Sequence, residues 1–171
     1  MLQQVWQLFF GYNNLPHLNN SLIFSIYDDK NKLYAGIRRE GVCSYSVNKD
    51  GKFTFENKFE EKISANVFLK NSLGEILVGS SEGLFRIKGN RLEKIKLPFA
   101  DERTVHIVAM RQDANGNYLI GTFGNGLIIL NSKFEFINDL TAKKDGGFAN
   151  HVSTIDKVGN DWHGDPSSAL L

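Results

Sequence analysis

The sequence predicts an all-β protein: a β-propeller of about three full four-stranded antiparallel blades plus a partial fourth. Three observations lead to this fold class. First, glycines recur at intervals of 43, 42 and 43 residues, at Gly36, Gly79, Gly121 and Gly164. Second, an Asp or Asn precedes each glycine by eight residues, at Asp28, Asn71, Asp113 and Asp156. Third, no segment has helical periodicity, and a period of about 40–50 residues made of short strands is typical of propeller blades.

The first copy, residues 22–58, is predicted to hold four strands joined by three tight turns. Its strands are expected at 22–27, 32–37, 42–47 and 53–58, and Asp50-Gly51 is a hairpin signal before the last one. The second copy, residues 65–96, repeats the plan with strands at 65–70, 75–80, 84–88 and 91–96. The third copy, residues 105–138, has them at 105–111, 117–122, 127–130 and 134–138. Residues before the glycine in each second strand are all apolar, which predicts sheets covered on both faces.

The fourth copy, residues 148–171, is a partial blade. Its first strand is expected at 148–155, but Asp161 and His163 stand where the other copies place apolar residues, and only Trp162 and Gly164 keep the pattern. Residues 5–10 are expected to form the last strand of a preceding or closing blade. We therefore treat residues 1–171 as a single propeller segment.

Composition excludes several classes of partner. The chain is 42% hydrophobic and 23% charged, with 20 Lys and Arg against 19 Asp and Glu. No basic stripe is present, so we expect no nucleic-acid partner and no membrane contact by this segment. The N-terminal residues lack the features of a signal peptide. The single cysteine, Cys43, is expected to pack as a small apolar residue.

Several motifs have a structural and a chemical interpretation. Gly121-x-x-Gly124-x-Gly126 is better explained by turns than by a phosphate loop, because a strand-like run follows it instead of a helix. Asp113-x-Asn115-x-Asn117 lacks the later residues of a calcium loop and predicts a β-turn capped by the Asp side chain in every copy. The histidines show no metal-site spacing and no nucleophile motif is present. We expect no catalytic residue, no metal and no cofactor.

The repeat resembles the two-component regulator propeller repeat. The third copy carries most of that pattern, at Asp113, Gly116, Leu119, Gly121, Thr122, Gly126 and Leu127. The second copy keeps Gly74, Leu77, Gly79 and Gly83, and the first keeps Asp28, Tyr34, Gly36 and Gly41. The resemblance covers roughly residues 5–165, and Leu15-Pro16 and Asn20 are similar to the family's lead-in to a blade.

The resemblance implies a role. Such repeats build seven-bladed propellers in the extracytoplasmic sensor part of bacterial hybrid histidine kinases, many of which respond to oligosaccharides. It implies an incomplete seven-bladed propeller acting as a non-catalytic ligand-sensing module, periplasmic or extracellular in its parent protein. Two alternatives stay open: a propeller enzyme similar to virginiamycin B lyase, with a catalytic His on one face, and a scaffold for protein–protein interaction.

The candidate ligand face is the end of the propeller where the turn between the second and third strands meets the start of the first. The residues that differ between copies there are Asn20, Arg38, Arg39, Glu82, Arg103, His106, Phe123, Asn125 and His151. Arg38 and Phe123 would suit a sugar acid or an oligosaccharide, through hydrogen bonding and stacking. We also expect an open arc of blades that self-associates through its exposed edges.

Overall fold

The computed structural model describes residues 18, 21–59, 62–98, 105–140, 150–158 and 161–165, and structural statements below concern these residues. They form fourteen strands and no helix that could span a bilayer. The strands are β1 (Ile23–Asp29), β2 (Lys32–Ile37), β3 (Gly41–Val47), β4 (Phe53–Phe59), β5 (Ala65–Lys70), β6 (Ile76–Ser80), β7 (Gly83–Lys88), β8 (Arg91–Ile95), β9 (Ile107–Gln112), β10 (Tyr118–Thr122), β11 (Leu127–Leu130), β12 (Phe136–Leu140), β13 (Thr154–Val158) and β14 (Asp161–Asp165).

The sheets confirm the predicted fold class. Three four-stranded antiparallel meanders, β1–β4, β5–β8 and β9–β12, are blades 1, 2 and 3, and the hairpin β13–β14 belongs to blade 4. Two predicted strands begin two residues too early: 105–111, since β9 begins at Ile107, and 134–138, since β12 begins at Phe136. The later start of β12 has a local cause, because the Asn131 side-chain oxygen accepts the backbone N–H groups of Lys133 and Glu135 and holds them in a turn.

The start of the fourth copy also differs from the prediction. Residues 150–153 do not belong to the expected strand 148–155, because β13 begins at Thr154. Instead, the Asn150 carbonyl accepts the N–H groups of Gly124 and Gly126 in blade 3. β14 pairs with β13 so that Ile155 is opposite Gly164. The predictions for 5–10, 148–149 and 166–171 fall outside the described residues, and the extent of the domain stays a prediction.

Within the described residues, the blades follow one another in an open arc. Their first strands adjoin in order, β1 with β5, β5 with β9 and β9 with β13, and β13 makes no comparable contact with β1 among the described strands. One apolar cluster lies between blades 1 and 2 and includes Tyr34, Val42, Phe68, Val78 and Phe85. A second lies between blades 2 and 3 and includes Leu77, Leu84, Ile107, Met110 and Ile120. A third, between blades 3 and 4, contains Ala109, Leu119, Val152 and Ile155. The second strands are therefore covered on both faces, as the apolar runs predicted.

The periodic glycines mark the contact between consecutive blades. A Cβ atom on Gly79 would lie 2.5 Å from Cγ2 of Ile107 and 2.7 Å from Cγ1 of Val67. On Gly36 and Gly121 it would meet the first carbonyls of the next blade, at Ala65 and Val152. The turn interpretation is therefore wrong for Gly121, where the absence of a side chain lets the next blade approach closely. It is right for Gly124, which has φ of 109°.

Among the described residues, the repeated Asp/Asn caps a turn in the second and third copies. Asp113 Oδ1 accepts the N–H groups of Asn115 and Asn117, and Asn71 Oδ1 accepts those of Leu73 and Glu75. In the first and fourth copies the hairpin is shorter, and the corresponding residues lie inside the ladder: Asp28 is opposite Leu33, and Asp156 is opposite His163. The prediction of a cap in every copy is therefore wrong for these two.

Candidate ligand site

The end of the arc predicted to bind ligand is built on one hydrogen bond that recurs in each full blade. Neighbouring antiparallel strands alternate direction, so the turn after the second strand comes back to the start of the first. There, one backbone N–H of the turn donates to the carbonyl of the residue that leads into the first strand. These pairs are Arg38 to Leu22 (2.9 Å), Ser81 to Ser64 (3.0 Å) and Phe123 to His106 (2.8 Å). We call the donors turn positions and the acceptors lead positions.

Blade 4 contributes a lead position as well, at His151. The carbonyls of Ala65 and Val152 occupy the same place against the glycine of the preceding blade, so Ser64 and His151 are equivalent. The residues that precede Ser64 and His151 are equivalent too. The Ile63 carbonyl accepts the N–H of Gly41 at 2.9 Å, and the Asn150 carbonyl accepts the N–H of Gly126 at 2.8 Å. Each turn position therefore lies between the lead position of its own blade and that of the next.

In blade 3 this arrangement brings three rings together. The rings of His106 and Phe123 are tilted by 34° with centroids 5.5 Å apart, and the ring of His151 contacts Phe123 at an interplanar angle of 88°. Phe123 and His151 also form an isolated antiparallel β-bridge. Although flanked on two sides, Phe123 keeps 57% of its surface exposed. We call these three residues the His–Phe–His cluster.

The backbone that carries Phe123 is fixed by buried and inter-blade hydrogen bonds. Thr122 Oγ1 donates to the Gly126 carbonyl at 2.8 Å and accepts the N–H of Asn125 at 2.9 Å. Gly124 N–H donates to the Asn150 carbonyl of the next blade at 2.7 Å. A Cβ atom on Gly124 would meet nothing within 4 Å beyond its chain neighbours, so the turn itself is open at this position. The exposed ring is therefore presented on a well-anchored turn.

His106 is influenced by two neighbouring titratable groups. Burial lowers the pKa of His106 below its usual value, and His151 lowers it further, while the carboxylate of Glu82 opposes both. The net effect on the His106 pKa is a decrease, which favours a neutral imidazole at pH 7. Glu82, from the turn of blade 2, thus acts on the edge of the cluster.

The structure brings together only part of the predicted site. Glu82 interacts with His106, His106 and His151 contact Phe123, and Asn125 lies in the same turn. Arg38 and Arg39 are exposed in the turn of blade 1, and no described interaction connects them to Phe123. Asn20 and Arg103 lie outside the described residues.

The sequence analysis did not identify Ser64 and Ser81, which lie in blade 2 between the arginines of blade 1 and the His–Phe–His cluster. Ser64 and Ser81 hold blade 2 with two reciprocal bonds: Ser64 N–H donates to Ser81 Oγ at 3.1 Å, and Ser81 N–H donates to the Ser64 carbonyl. Ser64 Oγ also accepts the N–H of Arg39 at 3.1 Å. Aligning the lead positions, 22, 64 and 106, at their 42-residue spacing would have identified Ser64. Within the described ranges, no group of three or more His, Cys, Asp or Glu could hold a metal ion.

Comparison with known proteins identifies the fold. No family model and no curated protein matches the sequence. Solved structures do match, among them the extracellular domain of a protein assigned as hybrid two-component system BT4673 from B. thetaiotaomicron. The two sequences are 22% identical, and the structures superpose with a TM-score of 0.60. The match covers 84% of this chain and 20% of that domain. The corresponding domain of BT3049 from the same organism is 19% identical and has a TM-score of 0.53. That match covers 81% of this chain and 25% of the BT3049 domain.

An enzyme also shares the fold. Virginiamycin B lyase from Staphylococcus aureus is 16% identical over 83% of this chain and 47% of its own, with a TM-score of 0.56. At these identities the likeness concerns the fold alone. This chain spans about a fifth to a quarter of the two sensor domains. Its three sheets and partial fourth blade are a segment of propeller-type architecture, similar to that of extracellular domains of two-component systems.

Proposed function

We propose that this chain is part of the extracytoplasmic ligand-recognition region of a two-component sensor, and that it binds ligand without catalysis at the end that carries the lead and turn positions. The parent protein would expose this region to the periplasm or the extracellular medium. The likeness to extracellular domains of two-component systems supports this assignment at the level of the fold. The observation that carries it is the contrast between the two ends of the arc.

At the candidate end, a constant backbone presents different side chains. The turn positions share one hydrogen bond yet hold Arg38, Ser81 and Phe123. The opposite end repeats one device, a side-chain oxygen that accepts two backbone N–H groups, at Asn48, Asn71, Asp113 and Asn131. Repetition at one end is explained by turn stability, whereas variation on a rigid scaffold is typical of recognition surfaces.

The test is calorimetric titration of the whole chain with a panel of glycans, amino acids, short peptides and organic acids. We expect one class to bind, and Arg38→Ala or Phe123→Ala to weaken that binding by about 1–3 kcal/mol if a hydrogen bond to a charged group or the main stacking surface is lost. Asn115→Ala, at an exposed position of the opposite end, is the control and should leave binding unchanged. Binding that ignores every variant at the candidate end would refute the proposal.

A second candidate function is that of a propeller lyase. The observation in its favour is that His106, His151 and Glu82 place titratable groups on one face of a fold shared with virginiamycin B lyase. Incubation of the chain with virginiamycin B, followed by liquid chromatography, separates the two functions. Conversion that His106→Ala abolishes would favour the enzyme, whereas an unchanged substrate favours recognition.

A further inference from the structure

We infer that the His–Phe–His cluster and Glu82 form a site for a weakly hydrated organic cation, such as a quaternary ammonium group. This inference rests on the proposed function and adds the residues and the chemical class of the ligand. It places the expected binding position at the boundary of blades 2, 3 and 4, away from the Arg38 and Arg39 pair of blade 1, whose positive charges would repel such a ligand.

The three rings of the cluster supply surfaces that can surround a cation. The ring of Phe123 is 57% exposed, the His106 ring is inclined to it by 34°, and the His151 ring is nearly perpendicular to it, at 88°. Rings that face different directions around one exposed aromatic side chain resemble the walls of an aromatic cage. The negative face of an aromatic ring attracts a cation, and quaternary ammonium groups are the ligands that such cages bind.

Glu82 lies next to this cluster because of the arrangement of the turn and lead positions. It follows the turn position Ser81, which lies between the lead positions of blades 2 and 3, and the lead position of blade 3 is His106. The buried Ser80 hydroxyl accepts the N–H of Glu82 at 3.1 Å and donates to the Gly83 carbonyl at 2.9 Å. The Glu82 carboxylate is close enough to act electrostatically on His106. Its backbone is thus held where its charge reaches the edge of the cluster.

The charge of Glu82 is not balanced within the described residues, where its carboxylate forms no ion pair. By contrast, other described glutamates each lie 3.0–3.3 Å from a Lys or Arg nitrogen: Glu40, Glu56, Glu75 and Glu93. His106 does not supply the missing charge, because burial lowers its pKa and favours the neutral imidazole at pH 7. A ligand cation would therefore complete a charge pair that the protein leaves open.

The chemistry of the cluster favours an organic cation over a metal ion. Within the part of the chain that the structure describes, no group of three or more His, Cys, Asp or Glu could hold a metal. One carboxylate and three ring surfaces cannot replace the water molecules around a strongly hydrated ion, whereas a weakly hydrated alkylammonium group gives up its water readily. The turn that carries Phe123 is also rigid, so little conformational entropy is lost when a ligand contacts it.

The experiment titrates the whole chain with two compounds of the same shape, choline and 3,3-dimethyl-1-butanol, which differ in the charged nitrogen. Tetramethylammonium chloride and ammonium chloride test whether the alkyl groups are needed, at constant ionic strength because salt screens charge interactions. Binding is followed through the dissociation constant and the chemical shifts of the His106, His151 and Phe123 side chains. We expect choline to bind at least about tenfold more tightly than the uncharged compound and to shift these three signals.

A second readout is the protonation of His106. A bound cation should lower the pKa of His106 further, because a nearby positive charge disfavours the imidazolium form. Glu82 and His151 are the described titratable groups that act on this imidazole. By reciprocity, choline should bind more weakly as the pH falls below about 6.5, and NMR titrations at several pH values measure both effects.

The variants separate the contribution of the ring from that of the charge. Phe123→Leu, which keeps an apolar side chain without the ring, should weaken choline binding about tenfold, and Phe123→Trp should preserve it. Glu82→Gln, which keeps the shape without the charge, should weaken it about fivefold. Glu135→Gln is the matched control: it removes the same charge from an exposed turn of the opposite end and should change the dissociation constant by less than about twofold. Thermal unfolding of each variant confirms that it is folded before titration.

The outcomes distinguish this inference from the proposed function. Equal affinity for choline and the uncharged compound, or choline binding that Phe123→Leu or Glu82→Gln leaves unchanged, overturns the cation site. The absence of binding by both choline and tetramethylammonium overturns it as well, and a ligand from the broader panel that binds at this end then leaves the proposed function standing. A ligand of any class that is insensitive to all variants at this end refutes both.

Discussion

At the scale of single residues, His106 reports on the candidate site through its protonation. Burial is the largest cause of its lowered pKa, with His151 acting in the same direction and Glu82 against it. We predict that an NMR titration of the imidazole gives a midpoint below the ordinary histidine value of about 6.5. Glu82→Gln should lower the midpoint further, His151→Asn should raise it, and Phe123→Ala should raise it by admitting water.

The same shift links His106 to stability. The folded state binds fewer protons than the unfolded state between the two pKa values of His106, so this residue's contribution is complete above pH 6.5, about the unfolded value, and is lost as pH falls towards the folded value. His106→Asn should therefore flatten the stability profile in that window, as measured by urea unfolding at several pH values. A His106 midpoint above 6.5 would contradict the burial that we assign to it.

Asn71 shows why the second copy of the repeat has an amide where the other three copies have Asp. Its side chain is 4% exposed, and its Nδ2 donates to Glu75 Oε2 at 2.9 Å and to the Tyr118 hydroxyl of blade 3 at 3.1 Å. A carboxylate there would lose both donors and face the carboxylate of Glu75. We predict that Asn71→Asp lowers the free energy of unfolding by about 1–3 kcal/mol at pH 7.

The matched control is Asn131→Asp. Asn131 has the same arrangement, with Nδ2 donating to Glu135 Oε2 at 2.7 Å, but this bond is exposed. Since exposed charge interactions are screened by water, its cost should stay below about 1 kcal/mol. If urea unfolding gives the same decrease in the free energy of unfolding for both variants, the inter-blade hydrogen bond to Tyr118 does not contribute to stability as we expect.

At the scale of the strands, the glycine of each second strand determines how closely the next blade approaches. Gly79 faces Ile107 and Val67 at distances that leave no room for a methyl group. We predict that Gly79→Ala lowers the free energy of unfolding by about 1–3 kcal/mol or more through overpacking.

Gly74→Ala is the comparison, because Gly74 has φ of 82° but open space around it. It should cost about 1 kcal/mol for backbone strain alone. If thermal or urea unfolding shows Gly74→Ala to be the more damaging change, turn conformation, and not contact between blades, would explain the repeat.

The strands also show what sequence could and could not predict. The regular spacing of the glycines predicted the positions of the blades, because a repeated structural unit gives equal spacing. This prediction did not require knowing why glycine is needed at those positions. It could not reveal that Asp28 and Asp156 lie inside ladders, since the length of a hairpin depends on which residues pair. Likewise, His106, Phe123 and His151 were each predicted for the ligand face, but their mutual contact depends on the approach of blade 4 to blade 3. The sequence prediction placed Arg38 and Phe123 in one site because of their residue types, and residue type gives no information about the distance between two side chains.

At the scale of the whole molecule, the open arc predicts self-association. Leu22, which immediately precedes β1, and Phe24, near the start of that strand, are 56% and 49% exposed. Apolar residues of an innermost strand are ordinarily covered in a closed ring, so their exposure favours association of copies. We predict oligomers in light scattering of the isolated chain, and a shift towards monomer in the double variant Leu22→Ser, Phe24→Ser.

Leu73→Ser provides the control for that experiment. Leu73 is more exposed, at 79%, but lies in a turn at the other end of the arc. Its substitution should leave the oligomer unchanged. A monodisperse monomer in the unsubstituted chain would contradict association through this surface.

The central claim is that ligand recognition belongs to the end of the arc that carries the lead and turn positions. The most direct measurement is mapping of backbone and side-chain chemical shifts in the whole chain, with the best ligand from the panel added. The account predicts changes centred on His106, Phe123 and His151 and extending to Glu82, with the capped turns at Asn71 and Asp113 unaffected. Changes concentrated on those capped turns, with Phe123 unmoved, would contradict it.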